Sequence, residues 1–192
     1  MTNVNRPMGL VPVGHRFGGI PNRLSAYTIA SGLNQDLYSG DPVDMTGTGR
    51  NITIATAGDN QPVVGVFAGV RYVDSNGEQQ FRPRWPAATV ATDIEALVYD
   101  DPGMIFMAQV DDTAGLAEAD VGLNANLVAG SGNNFTGRSA WQIDQTGMAS
   151  TITFQVRILG LARTPGNAYG QYAKALCFIN RHRLNAQPSA GV

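Results

Sequence analysis

Glycine and proline cut this chain into short pieces. Twenty-three glycines and ten prolines fall among 192 residues, and glycine stands well above its usual ~7%. Each proline removes a backbone donor, and each glycine weakens a helix interior. Between the breaks, apolar residues tend to alternate with period two rather than with helical spacing. In Asn51-Ile52-Thr53-Ile54-Ala55-Thr56, Ile52 and Ile54 share a face. The stretch 151–159 puts Ile152, Phe154, Val156 and Ile158 on one face and Thr151, Thr153, Gln155 and Arg157 on the other. The nearly continuous apolar run 63–73 reads as a buried central strand, with Gly65 and Gly69 marking a bulge or a close backbone approach. Further strands are expected at 24–30, 41–45, 89–99, 104–110, 123–129 and 139–144. Residues 174–180 fit a strand or a short helix, and 115–120 at most a helical turn. Helices of the length that joins parallel strands are missing, so the fold is expected to be mainly β: a single β-barrel or sandwich-like domain.

The ends read differently. Pro7, Pro12 and Pro21, with Gly9, Gly14, Gly18 and Gly19, make residues 1–23 an extended N-terminal arm in this reading. The β-rich domain then covers 24–180, and 181–192 form a C-terminal tail. The charged coat is thin. Charged residues are 15% of the chain with a net charge of −2, against roughly 25% in ordinary soluble proteins. Positive charge is carried by twelve arginines and the lone Lys174. Arginine is enriched in interfaces and lysine depleted, because the guanidinium is weakly hydrated and binds carboxylates through two bonds. A surface partly covered by other chains follows as an expectation.

Catalytic and metal chemistry find little to work with. There is no G-x-S-x-G turn, and the only histidines, His15 and His182, lie one in each end segment. Cys177 sits in an apolar run, where a buried inert thiol is expected, and a single cysteine forbids an internal disulfide. The pairs Asp100-Asp101 and Asp111-Asp112 lie roughly 30 Å apart if the intervening segment is a strand, too far for joint acid–base work. They read as turn formers, with calcium held by one such loop as the minor alternative. The loop Gly130-Ser131-Gly132-Asn133-Asn134-Phe135-Thr136-Gly137 lacks a phosphate-loop lysine and reads as a hairpin connection. No enzyme activity and no cofactor are expected. The absence of a long apolar run and of a leader-like N-terminus argues against a membrane span and for synthesis in the cytoplasm. Arg82-Pro83-Arg84-Trp85-Pro86 mixes cations with an aromatic. Without a basic stripe around it, this segment points to protein contact rather than nucleic acid.

Several stretches carry a family resemblance. Val4-Asn5-Arg6-Pro7-Met8-Gly9-Leu10-Val11-Pro12-Val13-Gly14-His15 resembles the opening of small head proteins of tailed bacteriophages. Gly40-Asp41-Pro42-Val43, the run Gln61-Pro62-Val63-Val64-Gly65-Val66-Phe67-Ala68-Gly69-Val70, Asp120-Val121-Gly122-Leu123-Asn124-Ala125 and Phe178-Ile179-Asn180-Arg181-His182-Arg183-Leu184 are similar to phage capsid decoration, or cement, proteins. The resemblance implies a virion protein on the capsid surface, made in the host cytoplasm. It would bind the major capsid protein, and copies of itself at capsomer junctions, and bridge shell subunits. Another phage structural part (tail, connector or fibre-attachment protein) is the alternative. On the cement reading, Arg6, Arg16, Arg23, Arg82, Arg84, Arg181 and Arg183 are expected to pair with acidic capsid surface. Trp85 would be the apolar anchor, and the arms would supply reach.

Overall fold

The computed structural model describes residues 3–19, 23–111 and 114–185. The strands among them are β1 (Val11–His15), β2 (Ser25–Tyr27), β3 (Leu37–Tyr38), β4 (Pro42–Met45), β5 (Ile52–Ile54), β6 (Gly65–Val73), β7 (Gln79–Arg82) and β8 (Arg84–Trp85). They continue as β9 (Thr92–Tyr99), β10 (Met104–Gln109), β11 (Asn124–Ala125), β12 (Leu127–Val128), β13 (Gln142–Ile143), β14 (Val156–Leu161) and β15 (Lys174–Ile179). One 3-10 turn spans Glu118–Asp120. The architecture is mainly β and sandwich-like, as the alternation predicts.

Two sheets carry the fold. The first runs β1-β10-β15-β14-β11, and the second β2-β9-β6-β4-β5 with β7 added along β6. The second sheet curls until its edge strands meet at one point, where Thr28 bridges Asn51. Inside the curl lies one core, with Phe67, Val70, Trp85, Val98 and Leu37 fully buried. Its convex side, through Val66 and Val63, joins a second core built on Phe106, Ile158, Ala175 and Cys177 of the first sheet. Strand β6 is thus apolar on both faces as far as Val70, which explains its nearly continuous hydrophobic run, and only Arg71 is exposed within it. Gly65 is required by closeness. A Cβ there would sit 2.4 Å from the Tyr99 carbonyl oxygen across the β6–β9 ladder. Both bulges on β6 fall on that same ladder, between Phe67 and Gly69 and between Arg71 and Val73.

The N-terminal segment departs from the arm expected of it. Val11–His15 forms an edge strand against β10, and Leu10 is fully buried in the second core. The Asn3 side chain donates to the carbonyls of Ala168 and Gln171, both at 2.8 Å. The Arg6 N–H donates to Gln109 Oε1 at 2.7 Å. The prolines that forbid a helix do not forbid an edge strand, where a missing donor faces outward. The start of the C-terminal tail is pinned as well. The Val63 N–H donates to the Arg181 carbonyl at 3.0 Å, and the Arg183 N–H to the Val63 carbonyl at 2.9 Å. Residues 186–192, the rest of the expected tail, lie outside the described residues. Residues 174–180, open between strand and helix in the sequence, are strand through Ile179.

The stretch 151–159 is shorter as a strand than its alternation implies. β14 begins only at Val156, and Ile152 is 45% exposed. Buried amides take the preceding turn instead. Asn180 Nδ2 donates to the carbonyls of Ile152 and Phe154, each at 3.2 Å. Gln155, on the polar face of the alternation, is fully buried. Its Oε1 accepts from the N–H groups of Gly58 and Leu127 at 3.0 and 3.1 Å. Its Nε2 donates to the carbonyls of Thr56 and Gln61 at 2.9 and 3.3 Å. A buried amide is tolerated because all of its hydrogen-bonding capacity is used.

Leu10→Ala is expected to cost about 2–5 kcal/mol, measured as a lower urea midpoint by tryptophan fluorescence. Removing residues 1–19 should abolish the cooperative transition, because the β10 edge and the Leu10 site are then both open. A truncated chain that unfolds like the whole one would contradict this placement.

Candidate functional site

Pro83 bends one continuous stretch of chain between two partners. Up to Arg82 the strand pairs with β6, and from Arg84 it pairs with β3. The Ser39 N–H is shared between the carbonyls of Pro83 and Gly137, each at 2.9 Å. Ser39 also bridges Arg138. Strands β3 and β8 and the loop 130–138 therefore lie side by side. Gly137, with φ of +69°, is held so close that a Cβ would sit 2.6 Å from Pro83. The loop connects the antiparallel pair β12 and β13, so it is a hairpin connection, as its composition predicts.

The loop is built to stand up. Asn133 Oδ1 accepts from the N–H groups of Phe135 and Thr136, both at 2.9 Å. The Asn133 N–H donates to the Arg138 carbonyl at 2.9 Å, and the Gly137 N–H to the Asn133 carbonyl at 2.8 Å. Asn134 Oδ1 accepts from the Tyr38 hydroxyl at 2.5 Å and from the Arg84 guanidinium. Phe135 is left 98% exposed, and Phe81 on β7 70% exposed. Arg82 and Arg138 are also exposed. Arg82, Arg84 and Arg138 make no ion pair among the described residues.

The remaining candidates are dispersed. Arg6 is exposed beside a groove of about 590 Å³ lined by Asn3, Tyr172 and Lys174. The Arg16 guanidinium stacks 3.9 Å from the centre of the Phe178 ring. Arg23 is exposed. Arg181 is half-buried, with a buried Nε that meets no hydrogen-bond acceptor among the described residues. Arg183 is committed to Asp44 through Nε at 2.6 Å and a second bond from Nη2. Trp85 is not the exposed anchor expected of it. It is fully buried, edge-on to Tyr72 with ring centres 5.3 Å apart, so it serves the inner core and presents nothing to a partner. Phe135 and Arg138, which the sequence reading passed over, complete the surface instead. The signal was present in a large apolar residue at the centre of a glycine- and asparagine-rich hairpin loop.

The turn Asp100-Asp101-Pro102-Gly103 gathers both histidines. His15 Nε2 lies 3.2 Å from Asp101 Oδ1. His182 is buried, and burial pushes its imidazole down to about 4 despite Asp100 and Asp101 nearby. The Ser25 hydroxyl donates to Asp100 at 2.7 Å and the Tyr27 hydroxyl to the same carboxylate at 2.9 Å. Ser25 thus faces an acid rather than an imidazole, so this cluster does not form the hydroxyl–base pair that nucleophilic attack needs. Among the described residues, no group of three or more His, Cys, Asp or Glu could hold a metal. Cys177 is buried and its thiol is pushed up to about 12 by desolvation, which leaves it unreactive.

No family model matches this chain, and neither a curated protein nor a solved structure matches it.

Asp41 braces the surface from behind. It is 1% exposed, and its carboxylate accepts from the Tyr38 N–H at 2.8 Å. Burial pushes it up to about 6, against the nearby Ser139 hydroxyl and the Tyr38 N–H, which favour the charged form. The folded chain holds this proton more tightly than the unfolded chain does. Stability from this group is therefore present at low pH and is lost as pH rises from about 4 to about 6. His182 acts in the opposite sense. Its depressed value makes stability rise with pH from about 4 to about 6.5. Asp41→Asn is expected to raise stability at pH 8 by up to about 3 kcal/mol, with little change at pH 4. Denaturant melts across that range would measure it, and equal wild-type and variant profiles would refute it.

Proposed function

We propose that this chain is a virion structural protein that binds the outside of a phage capsid and stabilises it by bridging major capsid protein subunits. The observation that carries this reading is the surface where Arg82 and Arg138 are exposed, make no ion pair among the described residues and accompany the exposed ring of Phe135. Two exposed guanidinium groups are suited to an acidic protein surface, and the exposed Phe135 supplies the apolar contact. The resemblance of several stretches to cement proteins supports the same reading.

The mechanism differs from one based on long arms. Val11–His15 is paired into the first sheet, and Arg181 and Arg183 are hydrogen-bonded to Val63, so the body itself acts as the clamp. A rigid β-body touching two shell subunits resists their separation, and many copies acting together multiply modest contacts. The other arginines, Arg6, Arg16 and Arg23 among them, would then serve separate contact points on the same particle.

The test is co-sedimentation of the purified chain with expanded heads assembled without it. Wild-type chain should sediment with the heads and raise their thermal rupture point. Reversing charge in the double variant Arg82→Glu, Arg138→Glu should lower occupancy roughly tenfold and leave the melting temperature of the free protein unchanged. Failure of the wild-type chain to sediment would remove the proposal.

A further inference from the structure

We infer that Phe135 is a preorganised anchor that inserts into an apolar pocket rimmed by carboxylates on the partner protein. This rests on the capsid-binding reading and names the feature of the shell that the surface fits. Single exposed apolar side chains are ordinary on proteins. What sets Phe135 apart is the construction beneath it. Asn133 caps two successive N–H groups of the loop, at 2.9 Å each. Asn134 ties the loop to Tyr38 and Arg84. Gly137 packs against Pro83 so closely that no side chain fits between them. The backbone is fixed at both sides of the ring, while the ring itself is 98% exposed.

Such an arrangement lowers the entropy lost on docking, because the loop is ordered before it meets a partner. A phenylalanine buried at an interface removes about 150–250 Å² from water. The arginines flanking it favour a negative rim. A single-stranded nucleic acid could also stack on the ring, but two features favour protein. The chain as a whole carries net negative charge, which repels a polyanion. Arg84 is also engaged by Asn134, close to the Tyr38 ring, rather than held out for a phosphate.

The test compares wild type, Phe135→Ala and Phe135→Leu for binding to heads assembled without the chain, alongside anisotropy with a labelled oligo-dT. Phe135→Ala should weaken head binding on the order of thirtyfold, the scale of an interface hot spot. Phe135→Leu should recover most of it, and free-protein melting should not change for either. If wild type binds and Phe135→Ala binds equally well, the anchor is overturned while the capsid reading stands. If wild type does not bind heads, both fall. Oligo-dT binding that Phe135→Ala abolishes would overturn the anchor in favour of a nucleic acid partner.

Discussion

Two hydrophobic cores lean on one strand, and the rest of the architecture follows from how closely that strand can be approached. β6 sends Phe67 and Val70 into the curl of its own sheet and Val66 into the core shared with the other sheet. For both faces to be dry, β9 must lie tight along it, and Gly65 is where the contact leaves no room for a side chain. The bulges on the same ladder let the second sheet bend back on itself. That curvature carries β3 and β8 around to the place where the arginine-bearing surface is assembled. Gln155 ties the chain that follows β5 to the start of β12 by its side chain, bonding Gly58, Thr56 and Gln61 on one side and Leu127 on the other. The arginine-bearing surface and the core packing are therefore parts of one construction.

Much of the fold was legible because period-two alternation is a direct consequence of pleating. The run ending at Val73, the strands on either side of the Asp100–Gly103 turn and the hairpin at 130–137 all appear where the pattern puts them. Alternation misleads where a buried polar side chain satisfies backbone groups. Thr151 to Phe154 alternate as a strand would, yet Asn180 holds that backbone in a turn. Gln155 looks like a solvent residue until its four bonding partners, all distant in sequence, are known. Long-range polar satisfaction leaves no local trace in composition.

The surface was half legible for a related reason. The segment 82–86 stood out by its residue types, and two of its arginines do face outward. Trp85 directly follows Arg84 in sequence but points the other way, because the strand pleat alternates and the inner core needed a large ring beside Tyr72. The end segments misled through their prolines and glycines, which exclude helices but permit an edge strand. Phe135 was missed because whether a loop aromatic folds inward or stands free depends on hydrogen bonds to Tyr38 and Arg84, far away in the chain.

The first sheet has a consequence for biosynthesis. β10 lies between β1 and β15, so its two neighbours come from nearly opposite ends of the polypeptide. During translation β1 and β10 can pair early, but the other side of β10 stays open until residues 174–179 leave the ribosome. A nascent chain stalled before that point exposes an apolar strand edge built from Phe106 and its neighbours, a template for association with other chains. Contacts of such long sequence separation also slow folding. Conditions that slow elongation between β10 and β15 would favour aggregates over the finished sandwich.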